Sequence, residues 1–178
     1  MPRFAVYGPL SIDLDDDGNI PRSMRGFWAS ADELRSGLRG AKGCYVFGIR
    51  SSGGSRITPW YIGKTNNQTF EGECFKPHQR VHYGYALNKY VRKRPVMYLI
   101  PQLATGGKLY RGRAGRAIEF VEKYLIGFGL FANEDILNKK DTKLYNEVVV
   151  PGLLNSGKGK RSFATKSLCH TLYAPSQD

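Results

Sequence analysis

Two short runs of β-forming residues, Gly43-Cys-Tyr-Val-Phe-Gly-Ile-Arg50 and Thr58-Pro-Trp-Tyr-Ile-Gly63, stand on either side of the turn cluster Ser51-Ser-Gly-Gly-Ser55. A strand, a Gly/Ser turn and a second strand commit the middle of the chain to an antiparallel hairpin. A lone hairpin is marginal in water and needs a further strand or a packed helix. The flanking sequence offers both. Pro95-Val-Met-Tyr-Leu-Ile100 reads as a third strand after a helix from about Lys76 to Lys89. A second helix runs from about Arg113 to Ile126, with Ala114, Ile118, Val121 and Leu125 as its apolar stripe, and Gly127 and Gly129 as its stop.

The ends of the chain are read in the same way. Ser11–Ile20 reads as a strand closing in an Asp/Gly turn; its acidic residues lack the downstream Glu of a calcium loop. Ser30-Ala-Asp-Glu33 has the form of a capping box and predicts a helix ending near Gly40. Gly106-Gly107 reads as a loop and Tyr145–Val150 as a further strand. The order of elements predicts an α+β fold, a small antiparallel sheet of about three strands flanked by helices. Residues 43–140 form its core, 1–42 an N-terminal extension of hairpin plus capped helix, and 141–178 a C-terminal strand and basic tail.

Composition narrows the partner. The chain has 178 residues and a formal net charge of +12, enough length for one domain with its own core. The 41% apolar content excludes a disordered polycation. No apolar run is long enough to span a membrane, and the first residues lack a signal-peptide core. Three cysteines, Cys44, Cys74 and Cys169, without CxxC spacing suit reduced thiols in the cytoplasm. The charge is uneven: residues 1–41 carry five basic and six acidic groups, whereas ten basic and no acidic residues lie between Glu73 and Glu119. Lys76, Arg92, Lys93, Arg94, Arg111 and Arg113 belong to that stretch, interleaved with tyrosines; Lys158, Lys160 and Arg161 form a second basic run in the tail. Cations that neutralise phosphates beside rings that stack on bases predict a nucleic-acid partner, DNA with RNA left open.

Gly43-Cys44-Tyr45 on the first strand and Tyr61-Ile62-Gly63 on the second resemble the paired tripeptides of the GIY-YIG nuclease family. Glu122-Lys-Tyr-Leu125-Ile126 is similar to that family's Glu-x-x-Leu-Ile helix. The likeness covers roughly residues 43–138. It implies a metal-dependent endonuclease that hydrolyses DNA phosphodiester bonds. Tyr45 would activate water, Tyr61 and Lys64 would support it, and Glu122 would bind Mg²⁺ or Mn²⁺. On a helical wheel Glu122 lies about 70° from the middle of the apolar stripe, whereas Glu119 lies about 130° away, facing solvent and in reach of Lys123. A carboxylate at the rim of a buried face suits a divalent ion.

The resemblance implies an Arg on the helix after Tyr-Ile-Gly, and Arg80 is the candidate to hold the scissile phosphate. The interval from Gly63 to Arg80 is longer than the family's, with residues 66–74 inserted. His78 and His82 share the opposite helix face, so His82 competes with Arg80. A zinc site at these histidines lacks a third ligand. Asn138, after Ile-Leu, matches the family's late Asn better than Asn133 does. The alternative readings are a catalytically inactive nucleic-acid-binding module on the same fold and a basic ribonucleoprotein component.

Overall fold

The computed structural model of the chain describes residues 1–50, 56–65, 67–90, 92–113, 115–138 and 162–173. Strands β1 (Arg3–Phe4) and β2 (Tyr7–Ser11) lead to helix α1 (Arg25–Leu34). Strands β3 (Gly43–Arg50) and β4 (Ile57–Lys64) form the hairpin. A single turn, α2 (Phe70–Glu73), precedes α3 (Pro77–Leu87). Strand β5 (Pro95–Leu103) and helix α4 (Arg116–Ala132) complete this part, and residues 1–138 make one compact unit. Helix α5 (Phe163–Tyr173) belongs to a second unit.

The sheet has five antiparallel strands rather than about three. Its order is β1-β5-β3-β4, with β2 also paired to β5, so the stretch before residue 43 supplies two of the strands. β3 lies in the middle and is buried on both faces, which its unbroken apolar sequence allows. Its pairing with β4 sets Tyr45 opposite Gly63 and Phe47 opposite Tyr61. One face carries the large core of α1, α2 and α3, with Phe27, Trp28, Phe70, Tyr83 and Leu87 against Tyr45, Phe47 and Leu99. The other face carries α4, whose Ile118, Ile126 and Leu130 pack over Cys44, Ile62 and Ile100.

Two helix boundaries differ from expectation. α1 begins at Arg25, so Ser30 lies inside it, and Met24 at the N-cap supplies no side-chain bond. Burying Phe27, Trp28 and Ala31 outweighs a serine cap: each large apolar side chain stabilises by about 1.5–3 kcal/mol, a cap by about 1. The helix ends at Leu34, and Gly40 closes a separate 3-10 turn, Leu38–Gly40. α4 passes through Gly127 and Gly129 to Ala132. At Gly129 a Cβ would come within 2.7 Å of both Ile62 and Ile136, so the glycine marks close helix–sheet approach instead of a stop. The turn Ser51–Ser55, Ala114 and the strand expected at Tyr145–Val150 lie outside the described residues.

Candidate functional site

β4 is the edge strand on the hairpin side, and the candidate residues gather at its Gly63–Lys64 end. Alternation along a strand sends neighbouring side chains to opposite faces. Tyr45 and Tyr61 therefore point to the α3 face, and Cys44 and Lys64 to the α4 face.

On the α3 face the two tyrosine rings lie nearly parallel, with centroids 6.1 Å apart. Gly63 makes this arrangement fit, since a Cβ there would sit 2.5 Å from the Tyr45 hydroxyl. Tyr45 is 1% exposed, whereas Tyr61 is only partly buried. Tyr45 is thus enclosed and Tyr61 faces outward. Burial pushes both hydroxyls above the usual tyrosine range; a donated hydrogen bond from Gln79 opposes the shift at Tyr45 and a bond with Tyr45 opposes it at Tyr61. Both remain neutral phenols at ordinary pH.

His82 stacks on the outer side of Tyr61, centroids 5.3 Å apart. Arg80, two residues away and therefore about 200° round the helix, faces the other way. Its guanidinium donates to the carbonyls of Phe75, Ile20, Pro21 and Arg22 at 2.7–3.2 Å. Of the two competitors, His82 is brought to the tyrosines and Arg80 is not. The reason is local: the segment before α1 presents a cluster of carbonyls, and a guanidinium fork satisfies several of them at once. His78 is exposed.

Beneath the tyrosines lies a polar chain that sequence reasoning missed. Gln79 Nε2 donates to the Tyr45 hydroxyl at 3.3 Å and to Glu73 Oε1 at 3.2 Å, and Lys76 Nζ pairs with Glu73 Oε2 at 2.7 Å. Gln79 and Glu73 are buried, and Gln79 Oε1 has no hydrogen-bond partner. An ionised carboxylate only accepts, so Glu73 fixes which end of the Gln79 amide faces Tyr45. The insertion that lengthens the path from Gly63 to α3 is what forms α2 and places Glu73 there. A lone Glu in a polar insertion and a lone Gln on α3 carry no sequence pattern that would have marked them. Lys76, expected on a phosphate, is held by Glu73.

On the α4 face Glu122 accepts from Lys64 Nζ at 2.5 Å, and the pair is largely shielded from water. Cys44 lies beside them; its thiol donates to the Ile118 carbonyl at 3.3 Å, and burial first, then the Glu122 charge, push it up to about 12. After burial, the Glu122 charge adds to the upward shift at Tyr61. Glu122 does not share the tyrosines' face. Residues 133–138 cover the middle of the β4 edge. Asn133 Nδ2 donates to the Pro59 carbonyl at 2.9 Å, Leu137 N to Trp60 at 2.9 Å and Asn138 Nδ2 to Ile62 at 2.6 Å. Both asparagines are straps, and Asn138 is the one next to Gly63.

The donor set suits a hard, mostly hydrated ion that takes one carboxylate, and not zinc. Among the described residues no group of three or more His, Cys, Asp or Glu could hold a metal. The basic residues divide between the ends of the sheet. Arg111 and Arg113 follow β5 at its Gly43 end, and the Arg111 guanidinium lies against Gly37 and Gly40. Arg92, Lys93 and Arg94 precede β5 at the opposite end, and Lys93 donates to the Gly18 carbonyl at 3.4 Å. Lys158, Lys160 and Arg161 lie outside the described residues. Cys44 and Cys74 are free and buried. No helix among the described residues is long and apolar enough to cross a membrane. Comparison with protein-family models, with characterised proteins and with solved structures gives no match to this chain.

Proposed function

We propose that the protein is a metal-dependent endonuclease of GIY-YIG type that hydrolyses phosphodiester bonds in DNA. One observation carries the reading: the Tyr45–Tyr61 pair on one face of the β3–β4 hairpin and the Lys64–Glu122 pair on the other both lie toward the Gly63–Lys64 end of β4. In such a reaction water forms a bond to phosphorus, the bond to the leaving oxygen breaks, and that oxygen takes a proton. Tyr61, neutral and partly exposed, orients the water through its hydroxyl. Tyr45, held by Gln79, fixes the position of Tyr61. His82 packs on the far side of the Tyr61 ring and holds it in place. The Lys64 ammonium offsets charge that develops on the phosphate. Glu122 would hold Mg²⁺ or Mn²⁺, which when bound supplies Lewis-acid stabilisation of the phosphate. Arg111 and Arg113 flank the same end and would take backbone phosphates.

Nicking of supercoiled plasmid with and without Mg²⁺ tests the reading. Wild type nicks only with the metal, and Glu122→Gln lowers the rate about a hundredfold or more. Binding without cutting in Mg²⁺ or Mn²⁺ would overturn the enzyme. A second reading, an inactive nucleic-acid-binding module, draws on Arg80, whose guanidinium is engaged by backbone carbonyls and faces away from the tyrosines. It predicts that outcome.

A further inference from the structure

A cleft of about 430 Å³ opens on the side of α3 away from the tyrosines. Met24, Trp28 and Phe75 form its apolar floor, all of them largely buried. Four arginines line it, Arg22, Arg25, Arg39 and Arg80, against two acids, Asp32 and Glu71. The pairing inside the cleft is uneven. Arg39 lies between both acids, 3.0 Å from Asp32 and 3.9 Å from Glu71, and neutralises much of their charge. Arg80 is fully occupied by carbonyls, including that of Arg22 at 3.2 Å. Arg22 and Arg25 are exposed, and neither makes a side-chain ion pair or hydrogen bond among the described residues.

We infer that this cleft is a second phosphate-binding site, which grips the backbone of the DNA strand through Arg22 and Arg25. This rests on the nucleic-acid reading above but not on catalysis. Two unpaired guanidiniums at one concave, net-positive mouth match a phosphodiester, which takes planar forks of N–H donors. Preorganisation supports the same conclusion. Arg80 ties the backbone of residues 20–22 to α3, so Arg22 stands on an anchored rim instead of a free loop. The residue expected to hold a phosphate therefore acts one step removed, as the anchor for a residue that does. α3 separates the cleft from the tyrosine pair, and a helix is about 10 Å across. The acid-balanced N-terminal residues then take part in substrate binding although their net charge gives no sign of it.

Fluorescence anisotropy with a labelled DNA duplex in EDTA tests the site, and plasmid nicking in Mg²⁺ tests the enzyme separately. The variant is Arg22→Glu/Arg25→Glu, with Arg3→Glu/Lys108→Glu as a charge-matched control and thermal melts to check folding. The cleft variant should weaken binding about tenfold or more and lower the slope of log K against log salt by about 2, while the control changes the slope less. Intact duplex binding by a folded cleft variant overturns the proposal, as does an equal loss in the control. Tighter binding of a free mononucleotide than of the duplex also overturns it. If wild type binds through these arginines but never nicks, the cleft stands and the nuclease reading fails.

Discussion

At Gly63 the ring of Tyr45 occupies the space a side chain would need. Gly63→Ala should force that ring aside, with an overpacking cost of about 1–3 kcal/mol read as a lower urea midpoint. Tyr45 and Tyr61 were legible because paired tripeptides on adjacent strands form a pattern. Glu73 and Gln79 were not, because their importance comes from contacts made across an insertion. Arg80 was assigned by residue type, but the carbonyls of residues 20–22 decided its direction, and no helix wheel contains them. Burial at single residues also sets a pH dependence. Burial makes the Cys44, Cys74, Tyr45 and Tyr83 groups all weaker acids in the folded chain. The unfolded chain therefore releases their protons first, and stability falls as pH rises above the ordinary thiol value of 9.0. Each thiol contributes a loss of up to about 1.4 kcal/mol per pH unit, tyrosines joining above about 10. Urea midpoints measured from about pH 8 to 11 check this, and Cys74→Ala should flatten the slope.

Among the elements, β3 was read to the residue and β5 in its first part, since uninterrupted β-branched and aromatic runs have few other uses. Helix ends were read less well. Capping residues and glycines indicate local preference, worth about 1 kcal/mol each, whereas the buried faces of α1 and α4 contribute several times that. The two strands before residue 11 were hidden for another reason. Arg3–Phe4 is too short to show alternation, and Tyr7–Ser11 contains Gly8 and Pro9. The strap formed by residues 133–138 governs the β4 edge. Asn138→Ala removes the donor to the Ile62 carbonyl and should cost about 1–2 kcal/mol. Hydrogen exchange of the Leu137 amide, bonded to Trp60, should then accelerate.

Across the whole unit, the acid-free stretch between Glu73 and Glu119 proves to be two patches. Arg92–Arg94 and Arg111–Arg113 stand at opposite ends of β5, which at nine residues is roughly 30 Å long. Net charge does not mark a single wall of a groove, because a strand running through a basic segment separates its ends. The cores on the two faces of the sheet share no buried residue. Mutational effects should therefore be separable. Leu87→Ala on one face and Ile118→Val on the other should sum to within about 0.5 kcal/mol in a double-mutant cycle. Tyr61→Phe and Lys64→Met, at two positions that both feel the Glu122 charge, should depart from additivity by more than that. A sheet whose two cores share no buried residue thus limits epistasis between its faces, and each face is free to vary without the other.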